Sequence, residues 1–254
     1  MSTNQEGSTT VHAATPIVAL DVGDIHAARG LVESLGESCR FYKVGLELFT
    51  AAGPEVIRWL RGEGCDVFLD LKFHDIPATM AGAVRSATRL GVRLLTVHAA
   101  AGRTGLQAAA EAAGDECGVL AVTVLTSLDA AALAPVWGRS DAVDVEAEVL
   151  RLAGLAAEAG VHGVVCSGLE ASAVRREYGS RLAPLVPGIR LAGGDSHDQA
   201  RVVTPAGAVA AGARYLVLGR AVTATADPAT AMGEVWRQLG PGASPAGAGV
   251  GRVP

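Results

Sequence analysis

Val67-Phe68-Leu69-Asp70-Leu71-Lys72-Phe73-His74-Asp75-Ile76-Pro77-Ala78-Thr79 sets an apolar run directly against two carboxylates and an ammonium. In a parallel sheet such a run is covered on both faces. A charge placed there is costly unless it is paired. The charges are therefore either a buried ion-pair device or an argument against a strand, and the surrounding sequence decides between the two.

Short β-branched runs alternate with Ala/Leu/Glu/Arg stretches along the whole chain. The expected strands are Ile17-Asp21, Phe41-Val44, Val67-Lys72, Leu94-His98, Val119-Val124, Gly163-Cys166, Leu185-Val186 and Tyr215-Leu218. The seventh is short and bounded by Pro184 and Pro187. Seven connections can each hold a helix, the last of them a short one near Pro205 to Ala211, and Pro228 to Leu239 reads as an eighth. Regular strand–helix units without a linker-like break predict a single (β/α)8 TIM barrel of class α/β over residues 15–239. A doubly wound open sheet is the competing architecture. It calls for a Gly-rich dinucleotide loop after the first strand, where this chain reads Asp21-Val22-Gly23-Asp24.

Composition is consistent with that frame. Half of the 254 residues are apolar and 19% are charged, enough for a sizeable core, while aromatics make up only 4%. Formal net charge is -5 with no basic stripe, which speaks against nucleic-acid binding, since phosphate backbones need clustered Lys and Arg. Cys39, Cys65, Cys117 and Cys166 form no CxxC pair. They read as small packing residues in a reducing cytoplasm. No apolar stretch reaches the ~20 residues that span a bilayer. Residues 1–14 lack a signal-peptide core and read as a flexible extension. Residues 240–254, rich in Gly, Ala and Pro, read as a flexible tail.

A barrel places its chemistry at the C-terminal ends of the strands. The polar candidates there are Asp21, Lys43, Asp70, Lys72, Asp75, His98, Thr126, Arg190 and Arg220. Strand side chains alternate in direction, so Asp70 and Lys72 share one face and Leu69 and Leu71 the other. If the leucines face the helix layer, the charged pair points into the mouth. The same parity sends Asp21 inward with Ile17 and Ala19, and Lys43 with Phe41. Four charges of alternating sign would meet above strands one to three.

A lysine between two carboxylates is kept in its ammonium form. At about 4 Å and an effective dielectric near 20, one such contact is worth roughly 4 kcal/mol. That makes a poor base and a good proton donor to a carbanion, while the carboxylates repel an anionic group that must leave. The competing reading of Asp70 and Lys72 is a structural ion pair, although a buried pair is poor value for stability alone. For Asp75, ahead of Ile76-Pro77, it is helix capping.

At the far end, Pro187-Gly188-Ile189-Arg190 and Gly219-Arg220 follow strands seven and eight, where barrels often hold phosphate. Arg supplies a planar fork of donors, Gly219 allows close backbone approach, and Gln199 could add an amide. Each arginine could instead be a surface or helix-end residue.

The ordered set Ala19-Leu20-Asp21, Lys43-Val44-Gly45, Phe68 to Pro77, Val122 to Ser127, Pro187 to Arg190 and Leu218 to Arg220 resembles bacterial-type orotidine 5'-phosphate decarboxylases from about Pro16 to Leu239. The resemblance implies conversion of orotidine 5'-phosphate to UMP and carbon dioxide by a homodimer without metal or organic cofactor. It implies that Asp70, Lys72 and Asp75 form a catalytic array with Lys43, Lys72 being the proton donor. It also implies that Asp75 and Thr79 reach the partner subunit's site. Asp21 and Lys43 would contact ribose hydroxyls and Thr126 the pyrimidine. Arg190, Gln199, Gly219 and Arg220 would grip the phosphate and base side. Ala78 departs from the family, which usually has Asn there. His74 and His98 carry no principal role and read as packing or hydrogen-bonding residues.

Two rivals stand beside this reading. Sugar-phosphate decarboxylases and aldolases share the Asp-x-Lys-x-x-Asp element and usually need magnesium, for which Glu47 is the only nearby extra carboxylate. A non-catalytic phospho-ligand barrel would gain little from carboxylates that repel an anion.

Overall fold

The computed structural model describes residues 14–191, 203–240 and 243–245. The expected extension up to residue 13, the loop holding Gln199 and most of the tail lie outside the described residues. Ala14 is already buried in the core.

Eight parallel strands close into a barrel in sequence order: β1 (Thr15–Ala19), β2 (Phe41–Gly45), β3 (Asp66–Phe73), β4 (Leu94–His98), β5 (Gly118–Val122), β6 (Gly163–Val165), β7 (Ala183–Val186) and β8 (Tyr215–Leu218). The outer layer is α1 (Ile25–Leu35), α2 (Leu46–Ala52), α3 (Glu55–Gly62), α4 (Pro77–Thr88), α5 (Gly102–Ala113), α6 (Ala130–Val136), α7 (Val145–Glu158), α8 (Ala171–Tyr178), α9 (Pro205–Ala210), α10 (Arg220–Thr223) and α11 (Pro228–Leu239). Asp24, Asp129, Asp144 and Asp227 cap α1, α6, α7 and α11 through their carboxylates, each accepting one of the N–H groups a helix start leaves unpaired.

Alternation along the strands divides the core in two. Ile17, Ala19, Phe41, Phe68, Leu94, Leu120, Leu185, Tyr215 and Val217 fill the barrel. The opposite faces, Leu69 among them, pack on the helices. All four cysteines are buried free thiols, and burial pushes the Cys117 thiol up to about 12, so they behave as small hydrophobes.

The seventh strand is longer than its prolines suggest. Pro184 lies inside it, opposite Val164 of β6, and its carbonyl accepts the Arg214 N–H. The missing donor costs the strand only one potential bond. Next to it β6 starts at Gly163, where an added Cβ would stand 2.1 Å from the Ala183 carbonyl oxygen. Only glycine fits there.

The floor of the barrel holds a half-buried imidazole. His162 Nε2 lies 2.9 Å from the Tyr215 hydroxyl. Burial, with Arg214 and Arg93 adding to it, pushes His162 down to about 4 from 6.5. The neutral form is therefore the native one, and the unfolded chain binds the extra proton. This contribution is complete above about pH 6.5 and is lost as pH falls from there towards 4. Between pH 7 and pH 5 the wild type should lose about 2 kcal/mol more stability than His162→Phe. Urea unfolding of both at the two pH values checks this, and equal losses would contradict it.

Candidate active site at the C-terminal mouth

The C-terminal ends of β1, β2 and β3 bring Asp21, two residues past β1, Lys43 of β2, and Asp70 and Lys72 of β3 to the same edge of the mouth. Lys43 Nζ donates to Asp21 Oδ1 at 2.7 Å and lies 3.8 Å from Asp70 Oδ2. Lys72 Nζ donates to Asp70 Oδ1 at 2.9 Å. The row Asp21–Lys43–Asp70–Lys72 alternates in sign, so each cation has a carboxylate partner and Asp70 sits between two ammonium groups. Burial grades along it: Lys43 is 8% exposed, and the Asp21 side chain is open to solvent. Gly45 makes the room, because a Cβ there would stand 2.9 Å from Lys43 Nζ and 3.2 Å from Asp21 Oδ1.

β3 is not the regular strand that alternation assumes. It pairs with β4 at Leu69↔Leu95 and again at Phe73↔Val97, so four steps on β3 match two on β4. This bulge sets both Asp70 and Lys72 over Thr96, the one inward β4 residue between those pairs. Within it Lys72 takes φ 51°, the only non-glycine residue with positive φ among the described residues, at a cost of roughly 1–2 kcal/mol. Thr96 is buried and bonds both neighbours: it accepts from the Lys72 N–H and donates to Asp70 Oδ1, each at 2.9 Å. The sequence reading missed Thr96. The available signal was its inward parity with Leu94 and His98.

A cavity of about 490 Å³ opens above the array. Asp21, Lys43, Asp70 and Lys72 line one side and Arg190, Gly219 and Arg220 another, with Thr126 on the loop after β5. Barrel closure explains the proximity, since β8 pairs with β1. Arg190 lies four residues past β7, where its backbone N–H is held by the Val203 carbonyl at 2.9 Å and its side chain is buried. Arg220 opens α10, directly after Gly219. Gln199 lies outside the described residues.

Asp75 and Thr79 do not line this cavity. Both are exposed. Asp75 does not cap α4: its carboxylate accepts only the adjacent Ile76 N–H, at 2.6 Å, and the helix starts at Pro77 without a side-chain cap. Ile76 is 66% exposed and Leu46 58%. His74 stacks on His98 with ring centroids 5.3 Å apart. Burial first, then His74 and Lys72, lowers His98 below the usual imidazole value. Its buried Nδ1 has no hydrogen-bond partner. Glu47 lies on α2 and does not line the cavity. Among the described residues no group of three or more His, Cys, Asp or Glu side chains is arranged to hold a metal ion.

The closed barrel and the charged row at its mouth define a (β/α)8-barrel enzyme with its chemistry at the C-terminal face. The chain belongs to the orotidine 5'-phosphate decarboxylase / HUMPS family, whose model matches residues 15–235. A Moorella thermoacetica protein named orotidine 5'-phosphate decarboxylase is 50% identical over 223 residues, covering 85% of this chain and 88% of the relative. One of that name from Thermobifida fusca is 48% identical over 235 residues, covering 91% and 99%. The crystal structure of orotidine 5'-phosphate decarboxylase from Lactobacillus acidophilus superposes with a TM-score of 0.79 at 33% identity, over 89% of this chain and 99% of that one. No helix among the described residues is long and apolar enough to cross a membrane.

Proposed function

We propose that this chain decarboxylates orotidine 5'-phosphate to UMP and carbon dioxide, the last step of de novo pyrimidine synthesis, as a cytoplasmic homodimer that uses no metal or organic cofactor. The observation that carries the reading is the alternating Asp21–Lys43–Asp70–Lys72 row lining one cavity with Arg190 and Arg220, which follow β7 and β8 next to β1. Relatives near 50% identity named for this activity support it within a family that carries two names.

In the proposed mechanism Arg190, Gly219 and Arg220 hold the phosphate and Gln199 assists. Asp21 and Lys43 take the ribose hydroxyls, and Thr126 takes the pyrimidine. Binding energy at the phosphate presses the substrate carboxylate towards Asp70. The bond from C6 to the carboxylate breaks, its electron pair stays on C6, and carbon dioxide leaves. The Lys72 ammonium stabilises that carbanion and then protonates it, giving UMP, and the neutral amine recovers a proton from water. Asp75 and Thr79 complete the site of the second copy.

The test is loss of orotidine 5'-phosphate absorbance with and without EDTA. Turnover insensitive to the chelator is expected. No turnover, or a magnesium requirement, would overturn the reading in favour of an aldolase-type barrel.

The phosphate grip makes a separate prediction. Arg220→Ala should lower kcat/KM for orotidine 5'-phosphate by about 10- to 100-fold, the worth of one charge-assisted hydrogen bond. The same variant should act on orotidine, which has no phosphate, much as the wild type does. Equal losses on both substrates would place the phosphate elsewhere.

A further inference from the structure

We propose that Thr96 is a positioning residue for the proton transfer, fixing the Asp70 carboxylate and the Lys72 ammonium in one arrangement. The inference rests on the decarboxylase reading above and deepens it.

A threonine hydroxyl has one proton to give. Its oxygen accepts the Lys72 backbone N–H at 2.9 Å, so the proton is free to go to Asp70 Oδ1, also at 2.9 Å. Oδ1 is the same atom that accepts Lys72 Nζ, and Oδ2 is left towards Lys43. The hydroxyl thus sets the rotation of the carboxylate, and that carboxylate anchors the ammonium.

Thr96 also holds the backbone of Lys72. The bulge between Leu69 and Phe73 removes regular β4 pairing from the residues between them, and Lys72 sits there at φ 51°. A strained conformation persists only where its surroundings hold it. The Thr96 hydroxyl supplies that hold on the Lys72 N–H, from a side chain that is 1% exposed. One group therefore grips Lys72 at its backbone and, through Asp70, at its ammonium. Its two hydrogen bonds go to Lys72 and Asp70 and not to Arg190, Gly219 or Arg220, so its loss should disturb the chemical step rather than binding.

Thr96→Val keeps the shape and removes the hydroxyl, and Thr96→Ser keeps the hydroxyl. Thr96→Val should lower kcat by about 10- to 100-fold, the cost of a misplaced catalytic group, while KM and the affinity for UMP stay within about threefold. Thr96→Ser should recover most of kcat. Thermal melting of each variant reports the folded fraction used for normalisation. If Thr96→Val melts lower but keeps wild-type kcat per folded site, or if serine fails to restore turnover, the positioning role is wrong. A wild-type enzyme inert towards orotidine 5'-phosphate would instead sink the underlying functional reading.

Discussion

Lys72→Ala should reduce kcat for orotidine 5'-phosphate by at least about 10³-fold, roughly 4 kcal/mol of barrier, because in the proposed mechanism it removes both the proton donor and the cation that stabilises the carbanion. The fold should survive. The Lys72 side chain is partly exposed at the mouth and not part of the packed interior, so its removal leaves no core cavity. Asp70 keeps the Thr96 hydroxyl and the Lys43 ammonium as partners, which avoids stranding an uncompensated carboxylate. Alanine at φ 51° is about as strained as lysine. Lys72→Gly provides the complementary control, equally inactive but more stable by about 1 kcal/mol, since glycine adopts that conformation without a Cβ clash. Steady-state kinetics and urea unfolding of the three proteins check the claim. Lys72→Ala with near-normal turnover would overturn the assignment, and Lys72→Gly less stable than Lys72→Ala would show that the bulge is not strained as described.

These residues also show where sequence reading reaches and where it stops. The facing of Asp21, Lys43 and Asp70 followed from period-two alternation: Asp21 and Lys43 share parity with Ile17, Ala19 and Phe41, which fill the barrel, and Asp70 opposes Leu69, which packs on the helices. Barrel closure followed from the eight strand–helix units and brought the arginine end beside the first strand. The bulge in β3 was hidden, because alternation assumes one residue opposite one, and a lysine carries no signal for a left-handed conformation that usually belongs to Gly or Asn. Thr96 went unseen for the same reason: its importance comes from facing two charged residues where regular pairing allots one. The seventh strand was read short because proline removes a donor, yet a strand can hold proline where its carbonyl alone is used, as Pro184 does for Arg214. For Asp75, capping of α4 was the reading that competed with a place in the site. Its carboxylate meets only the next residue's N–H, which removes the capping account.

An activity should appear when two dead proteins are mixed. Lys72→Ala and Asp75→Ala are each expected to be nearly inactive as homodimers, since every proposed site needs Lys72 from one copy and Asp75 from the other. Asp75 is exposed, points no contact into its own chain's cavity, and lies next to the exposed apolar Ile76, an arrangement suited to a surface that a second copy covers. In a hybrid dimer the Asp75→Ala chain keeps its own Lys72 and receives Asp75 from the Lys72→Ala chain, so one site is intact and the other doubly defective. Random exchange of equal amounts makes about half the dimers hybrid, which returns about a quarter of the wild-type activity per chain. Partial unfolding and refolding of the mixture, followed by separation of differently tagged chains, shows whether exchange has occurred. Activity absent from verified hybrids would mean that Asp75 serves its own chain or no site at all. The distinction matters for the chemistry: an Asp75 supplied in trans adds a second carboxylate beside Lys72 only on assembly, so the charge array that drives carbon dioxide out would exist in the dimer and not in the single chain.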